Sequence, residues 1–197
     1  MALKIGQAAR SIPGLLRDPF GLPNVIDLYD GLADFRYLTC ERVDRAAMRE
    51  LPEDSVGRRH LAFMDHHGYV EDDYLKASRS STGAFENHWT MLRFARIHDD
   101  HHTVLGIPVS VDDEAALQVF NTVNFGEPSG WAALPFLVLR HGSPLRMAHR
   151  IAVCAPAGLR LPEMFTFPFE RRSGTPLRDL RRELEVPEDG LMGDSPA

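Results

Sequence analysis

Proline, glycine and capping residues divide this chain into short runs whose apolar positions recur every three or four residues. No long alternating run of β-branched residues interrupts them. That pattern restricts the fold to helix packed on helix. The spacing predicts helices over 3–17, 24–38, 41–50, 55–67, 71–78, 85–104, 111–124, 128–141, 144–155 and 175–185. With 197 residues and 44% apolar content there is material for one sizeable core. The expected fold is all-α, a single helical domain over 1–185. The closing segment 186–197, VPEDGLMGDSPA, has no periodicity and reads as a disordered tail.

Charge and cysteine content remove several function classes. A net charge of −6 argues against a nucleic-acid partner, because duplex binding depends on a basic patch that neutralises phosphates. Lys4 and Lys76 are the only lysines, which reads as genome composition. Cys40 and Cys154 form no framework of disulfides; each reads as a reduced, buried small hydrophobe in an intracellular, cytoplasmic protein. The most apolar stretch, 131–139, is far shorter than the ~18 residues of a membrane span and carries Pro135. The N-terminal segment lacks a secretory cleavage pattern. It reads as a first helix packed on the domain, with peripheral contact to the inner face of a membrane as the alternative.

The chemistry concentrates where one predicted helix ends and the next begins. His98, Asp99, Asp100, His101 and His102 are consecutive, and Gly106 and Pro108 then stop the helix. His98 and His102 are four apart and Asp99 and His102 three apart, so the three share one side of the last turns. Ser110 is a good cap for the following helix, and Glu114 falls in that helix's first turn. A tight loop would return Glu114 to the histidines. His98, Asp99, His102 and Glu114 would then offer two nitrogens and two carboxylates to one cation, a set suited to zinc, Fe(II) or manganese and less to magnesium alone. His101, three from His98, is an alternative second nitrogen. The plain alternatives are a solvated charge run and an acid/base pair without metal.

In the helix expected over 55–67, His60 and His67 share a stripe with Val56, Phe63 and Met64. His60, Phe63, Met64 and His67 are therefore candidate substrate-binding residues, with a core or rim role as the alternative. Leu134, Phe136 and Leu137 are further candidates for an apolar groove.

These residues match a known pattern. His98-Asp99, two residues, His102, eleven residues and Glu114 resemble the hallmark of the ubiquinone-biosynthesis family known as coenzyme Q biosynthesis protein four. Gly106-Ile107-Pro108 resembles that family's Gly-Leu-Pro. The segments 51–73 and 169–184 resemble its flanking patterns, including an aromatic-Glu pair before a final helix. Asp100 and His101 stand where the family is apolar or aromatic, Asp113 where it has glycine and His60 where it has tyrosine. Ala95 and Arg96 replace an expected arginine and acid. The chain is read as a divergent bacterial member.

The resemblance implies an all-helical fold and a divalent metal, zinc first, with iron, cobalt or magnesium as alternatives. It implies a decarboxylase (lyase) and hydroxylase acting at ring carbon 1 of a polyprenylated hydroxybenzoate. It also implies a membrane-associated homodimer that works with other biosynthetic enzymes. Asp100 and His101, ionisable where relatives are apolar, are expected to move protons beside the metal; otherwise both face solvent. Three other readings stay open. One is a metalloenzyme tailoring another phenolic or polyketide acid in secondary metabolism. Another is a His-Asp phosphohydrolase with His66 or His67 as the upstream histidine. The last is a non-catalytic lipid-binding scaffold.

Overall fold

Each of the longer helices with a defined cap begins where the sequence offers one. In the computed structural model, which describes residues 44–69, 89–126, 134–135 and 143–193, the Asp44 carboxylate accepts from the backbone N–H groups of Ala46 and Ala47 and opens α1 (Arg45–Arg49). Ser55 accepts from Arg58 N at 3.3 Å and opens α2 (Val56–His67). Helix α3 (Trp89–Leu105) carries the histidine run. Ser110 accepts from Asp113 N at 3.3 Å and opens α4 (Val111–Phe125). Pro144, suited to a first helical turn because its missing N–H has no partner there, opens α5 (Pro144–Arg160). A 3₁₀ turn over Phe169–Arg172 leads to α6 (Leu177–Glu183).

Six α-helices and no strand are present among the described residues; an isolated bridge joins Ser55 to Pro176. The fold is all-α, as the periodicity predicts. The expected helices at 3–17, 24–38 and 71–78 lie outside the described residues, as do Cys40, Phe136, Leu137 and all but 134–135 of the helix at 128–141.

Helix α4 lies along α5, and α2 packs on α3. Ile97, Val104 and Leu105 of α3, Leu117 and Phe120 of α4, Ala157 of α5 and Leu180 of α6 are buried together, with Phe165 and Phe169 from the connecting segment. Each large side chain of this kind contributes about 1.5–3 kcal/mol on leaving water. Cys154 is a buried free thiol in this core; burial, aided by the Asp113 charge, pushes it up to about 12 and keeps it protonated.

The segment after the 3₁₀ turn closes the start of α2. The N–H groups of Val56 and Gly57, which a helix leaves without internal partners, donate to the carbonyls of Thr175 and Ser173, both at 2.8 Å. A side chain at Gly57 would meet Ser173 Cβ at 3.0 Å, so only glycine allows this approach.

Two boundaries differ from the sequence expectation. Helix α5 runs through Pro156 to Arg160 rather than stopping near 155. Proline removes the bond that would cap the Ala152 carbonyl, but Ala152 and Pro156 both lie on the exposed side, so the carbonyl is not left in the dry core. The second difference is the expected tail. Through Gly193 it is packed: Val186 is buried, and Leu191 N donates to Leu105 O at 2.7 Å. Turns hold it, which is why no periodicity marks it.

Candidate metal centre

The end of α3 and the first turn of α4 face each other across the loop 106–110. Nε2 of His102 lies 3.1 Å from one Glu114 carboxylate oxygen, and Nε2 of His98 lies 3.4 Å from the other. The two imidazole centroids are 4.8 Å apart. One donor atom from each of His98, His102 and Glu114 falls within 4.8 Å of the others.

The opposite nitrogens are already engaged. His102 Nδ1 faces the Ile107 carbonyl at 2.8 Å; a carbonyl only accepts, so Nδ1 carries the proton. His98 Nδ1 likewise donates to the Asp99 carboxylate at 3.2 Å. In the neutral rings both lone pairs therefore sit on Nε2, aimed at the same carboxylate. Three electron-rich atoms in one place repel unless a proton or a cation lies among them. Second partners of this kind are how proteins orient metal-binding histidines. The residues present fit a divalent cation.

Without a cation, protons fill the role. Burial disfavours the His98 imidazolium, but the bonds to Asp99 and Glu114 and their charges outweigh it and push His98 up to about 9. Burial also disfavours the Glu114 carboxylate, yet the bonds from His102 and His98 hold it down at about 2. Asp99 is lowered too; burial opposes the shift, and the His98 bond and charge overcome it.

Three of the four expected ligands converge. Asp99 sits instead on the far nitrogen of His98, as an orienting carboxylate rather than a fourth donor in this arrangement. The choice between His101 and His102 falls to His102. His101 is buried among the rings of Phe120, Phe125 and Phe169, with Nδ1 donating to Asn121 Oδ1 at 3.0 Å. Burial, with the His98 charge adding, drives its pKa down to about 3, so it stays neutral.

The expectation that Asp100 and His101 move protons beside the metal is corrected by their placement. At ~100° per residue, they turn off the face that His98 and His102 share. Asp100 is buried against Arg96 at 3.0 Å and His60 Nδ1 at 3.3 Å. His60 thus faces a buried carboxylate between α2 and α3 rather than lining a pocket. Met64 is in the core. Phe63 does reach the centre: its ring stacks on His102 with centroids 5.5 Å apart. His67 packs edge-on against Phe63 at 4.8 Å and face-on against Tyr69 at 5.4 Å. Burial, then the charges of His66 and His102, lower His67. Burial, then the charges of Glu114 and Asp99, raise Tyr69, which is 38% exposed. These rings form one rim of the centre.

The sequence reading missed Tyr69, the Ile107 carbonyl and Asn121. A backbone carbonyl leaves no residue-type signal, and Tyr69 follows a glycine stop that cuts off the helical periodicity. Neither His66 nor His67 supplies a donor atom to the cluster, so the phosphohydrolase reading gains no upstream histidine.

The class defined here is an all-helical domain with a two-histidine, one-glutamate centre built at a helix–loop–helix. Residues 32–189 match the family described as coenzyme Q (ubiquinone) biosynthesis protein Coq4. The chain belongs to that family. It is 27% identical over 157 residues to ubiquinone biosynthesis protein COQ4 homolog 1, mitochondrial, of Culex quinquefasciatus, covering 80% of this chain and 57% of that protein. It is 28% identical over 152 residues to the Homo sapiens mitochondrial COQ4 homolog, covering 76% and 57%. The chain thus spans little more than half the length of these relatives. A crystal structure from Nostoc punctiforme, of a protein named for ubiquinone biosynthesis, aligns with a TM-score of 0.61. It shares 16% identity and covers 92% of this chain and 93% of that one, which shows a shared fold.

Proposed function

We propose that His98, His102 and Glu114 hold one divalent cation, zinc first, with iron, cobalt or magnesium as alternatives. We further propose that the domain acts in ubiquinone biosynthesis on a polyprenylated hydroxybenzoate, exchanging the ring carboxylate for a hydroxyl at carbon 1. The observation that carries the metal reading is the convergence of the His98 and His102 Nε2 atoms on one Glu114 carboxylate, with both Nδ1 atoms already engaged elsewhere. The pathway rests on family membership and the relatives' names.

A bound divalent cation supplies a Lewis acid and template for a carboxylate or phenolate. The chain's own residues do the rest. Glu114 and the two imidazoles fix the donor geometry, and Asp99 and the Ile107 carbonyl keep both rings in the donating tautomer. Phe63, His67 and Tyr69 form an aromatic rim beside the centre, able to pack on a planar ring. Loss of carbon dioxide leaves the ring redox-neutral. The added hydroxyl oxidises it by two electrons, so the reaction consumes an oxidant, dioxygen being the simplest.

Metal analysis of the wild type, His98→Ala and Glu114→Ala tests the centre, and turnover of a prenylated 4-hydroxybenzoate under air tests the reaction. The expected result is one equivalent of metal in the wild type, little in either variant, and turnover that follows metal content. Equal metal in all three proteins defeats the metal assignment; a metal-loaded wild type that leaves the acid unchanged defeats the substrate assignment.

A further inference from the structure

We infer that Arg181, together with the turn at Glu188–Gly190, is a positioning device that holds the α3 terminus so that the Ile107 carbonyl fixes the orientation of His102. The inference rests on the metal reading of the His98–His102–Glu114 centre and concerns residues outside it.

An α-helix leaves its last four carbonyls without internal partners. At the end of α3 each is satisfied by an identifiable donor. The His102 carbonyl accepts from Ile107 N at 3.1 Å. Arg181, buried although charged, donates from Nη2 to Thr103 O at 3.1 Å and from Nε to Val104 O at 2.9 Å. Its third nitrogen, Nη1, donates to Glu188 O at 2.6 Å. Leu105 O accepts from Leu191 N at 2.7 Å. One guanidinium therefore joins the last turn of α3 to the turn after α6. Its positive charge also suits the negative end of the helix dipole.

The glycines make the joint close. Gly106, at φ +65°, and Gly190, at φ +80°, lie back to back. A Cβ on Gly190 would stand 2.8 Å from Gly106 Cα and 2.9 Å from Leu105 O. A Cβ on Gly106 would stand 2.9 Å from Gly190 Cα and 3.2 Å from Arg181 Nη2. Neither site accepts a side chain without the α3 terminus moving.

The consequence reaches the centre within two residues. Gly106 sets the direction of the chain at Ile107, and the Ile107 carbonyl is the group that holds His102 Nδ1–H at 2.8 Å. Shifting the turn lengthens that bond and frees the ring to rotate or change tautomer. Outer partners of metal-bound histidines are worth about 10–100-fold in metal affinity.

The test uses the full chain, with Co²⁺ as probe, and the variants Gly190→Ala, Arg181→Lys and Arg181→Met. Asn124→Leu serves as a destabilised control, because Asn124 ties α4 to the segment after α5, away from the centre. Three quantities are read: thermal midpoint, Co²⁺ affinity from visible absorption, and solvent exchange of the His102 Nδ1–H resonance in the Co²⁺-loaded protein. Gly190→Ala and Arg181→Met are expected to weaken Co²⁺ binding 10–100-fold and to speed Nδ1–H exchange, with Arg181→Lys between them and wild type. Asn124→Leu is expected to lower the midpoint and leave both metal readouts unchanged. If the mildest variant that folds binds Co²⁺ like the wild type, the inference is wrong. It is also wrong if Asn124→Leu loses as much affinity at equal destabilisation. A wild type that binds no Co²⁺ brings down the underlying metal reading, and the positioning role with it.

Discussion

Asp100 and His102 are two residues apart, and their side chains do unrelated work. Asp100 lies between Arg96 and His60 and is nearly excluded from water. Removing one member of a buried ion pair costs about 3–5 kcal/mol, because the remaining charge keeps its desolvation cost. Asp100→Asn keeps the shape and part of the hydrogen bonding, so a loss of roughly 3 kcal/mol is expected. Its metal content is expected to stay at the wild-type level. Chemical denaturation and metal analysis on the same preparation check both parts; a variant of native stability that loses metal would return Asp100 to the centre. At this scale the sequence was legible wherever spacing alone decides the geometry. His98 and His102, four apart, must share a face, and a glycine stop followed by a serine cap brings Glu114 back to them. Spacing says nothing of which neighbouring element meets the other faces of α3. Hence Asp100 and His101, ionisable and adjacent in sequence, read as part of the site, while the structure sets one against α2 and the other among phenylalanines.

Helices α3, α4 and α5 are held in register by polar side chains that periodicity does not mark. Asn124, at the end of α4, donates to Gly158 O at 3.1 Å and Pro162 O at 2.9 Å, and its carbonyl accepts from Met164 N at 2.9 Å. Arg93 does similar work for α3, reaching Phe165 O at 3.2 Å and Phe167 O at 2.5 Å and pairing with Glu170. Helix existence was legible from caps and stops. The joints between helices were not, because a buried asparagine or arginine looks like a surface residue until its carbonyl partners are placed. Asn124→Leu, close in volume, leaves the carbonyls of Gly158, Leu161 and Pro162 and the N–H of Met164 in the interior without this partner. Each buried unsatisfied group costs about 1–3 kcal/mol. Relaxation around the site reduces the sum, so an expected loss of roughly 3 kcal/mol follows, equivalent to a drop of about 6–12 °C in thermal midpoint for a chain of this size. A midpoint within about 2 °C of wild type would show that water or a repacked turn satisfies those groups instead.

On the proposed metal reading, the stability of the whole molecule depends on what fills the centre, and the sign of its pH dependence differs between the metal-free and the metal-loaded protein. In the metal-free chain His98 is raised from 6.5 to about 9. Its contribution is fully present below pH 6.5 and is lost as pH rises through about 9. Glu114 is lowered from 4.5 to about 2, so its contribution is present above pH 4.5 and is lost as pH falls through about 2. The centre therefore stabilises the metal-free fold most between those unfolded-state values, at mildly acidic pH. A divalent cation needs the Nε2 lone pair that the proton occupies, so its binding releases protons and strengthens as pH rises. The stabilisation added by metal is expected to be small near about pH 5 and to grow toward about pH 8.5, offsetting the alkaline loss expected of the metal-free chain. Thermal midpoints measured across that range, with chelator in one series and Zn²⁺ in the other, give the difference directly. In Glu114→Gln the chelated series is expected to lose much of its alkaline slope, because one of the two carboxylates that hold the His98 proton is gone, and the Zn²⁺ increment is expected to shrink at every pH. A Zn²⁺ increment that stays flat or falls with rising pH would mean that the ion binds elsewhere on the chain.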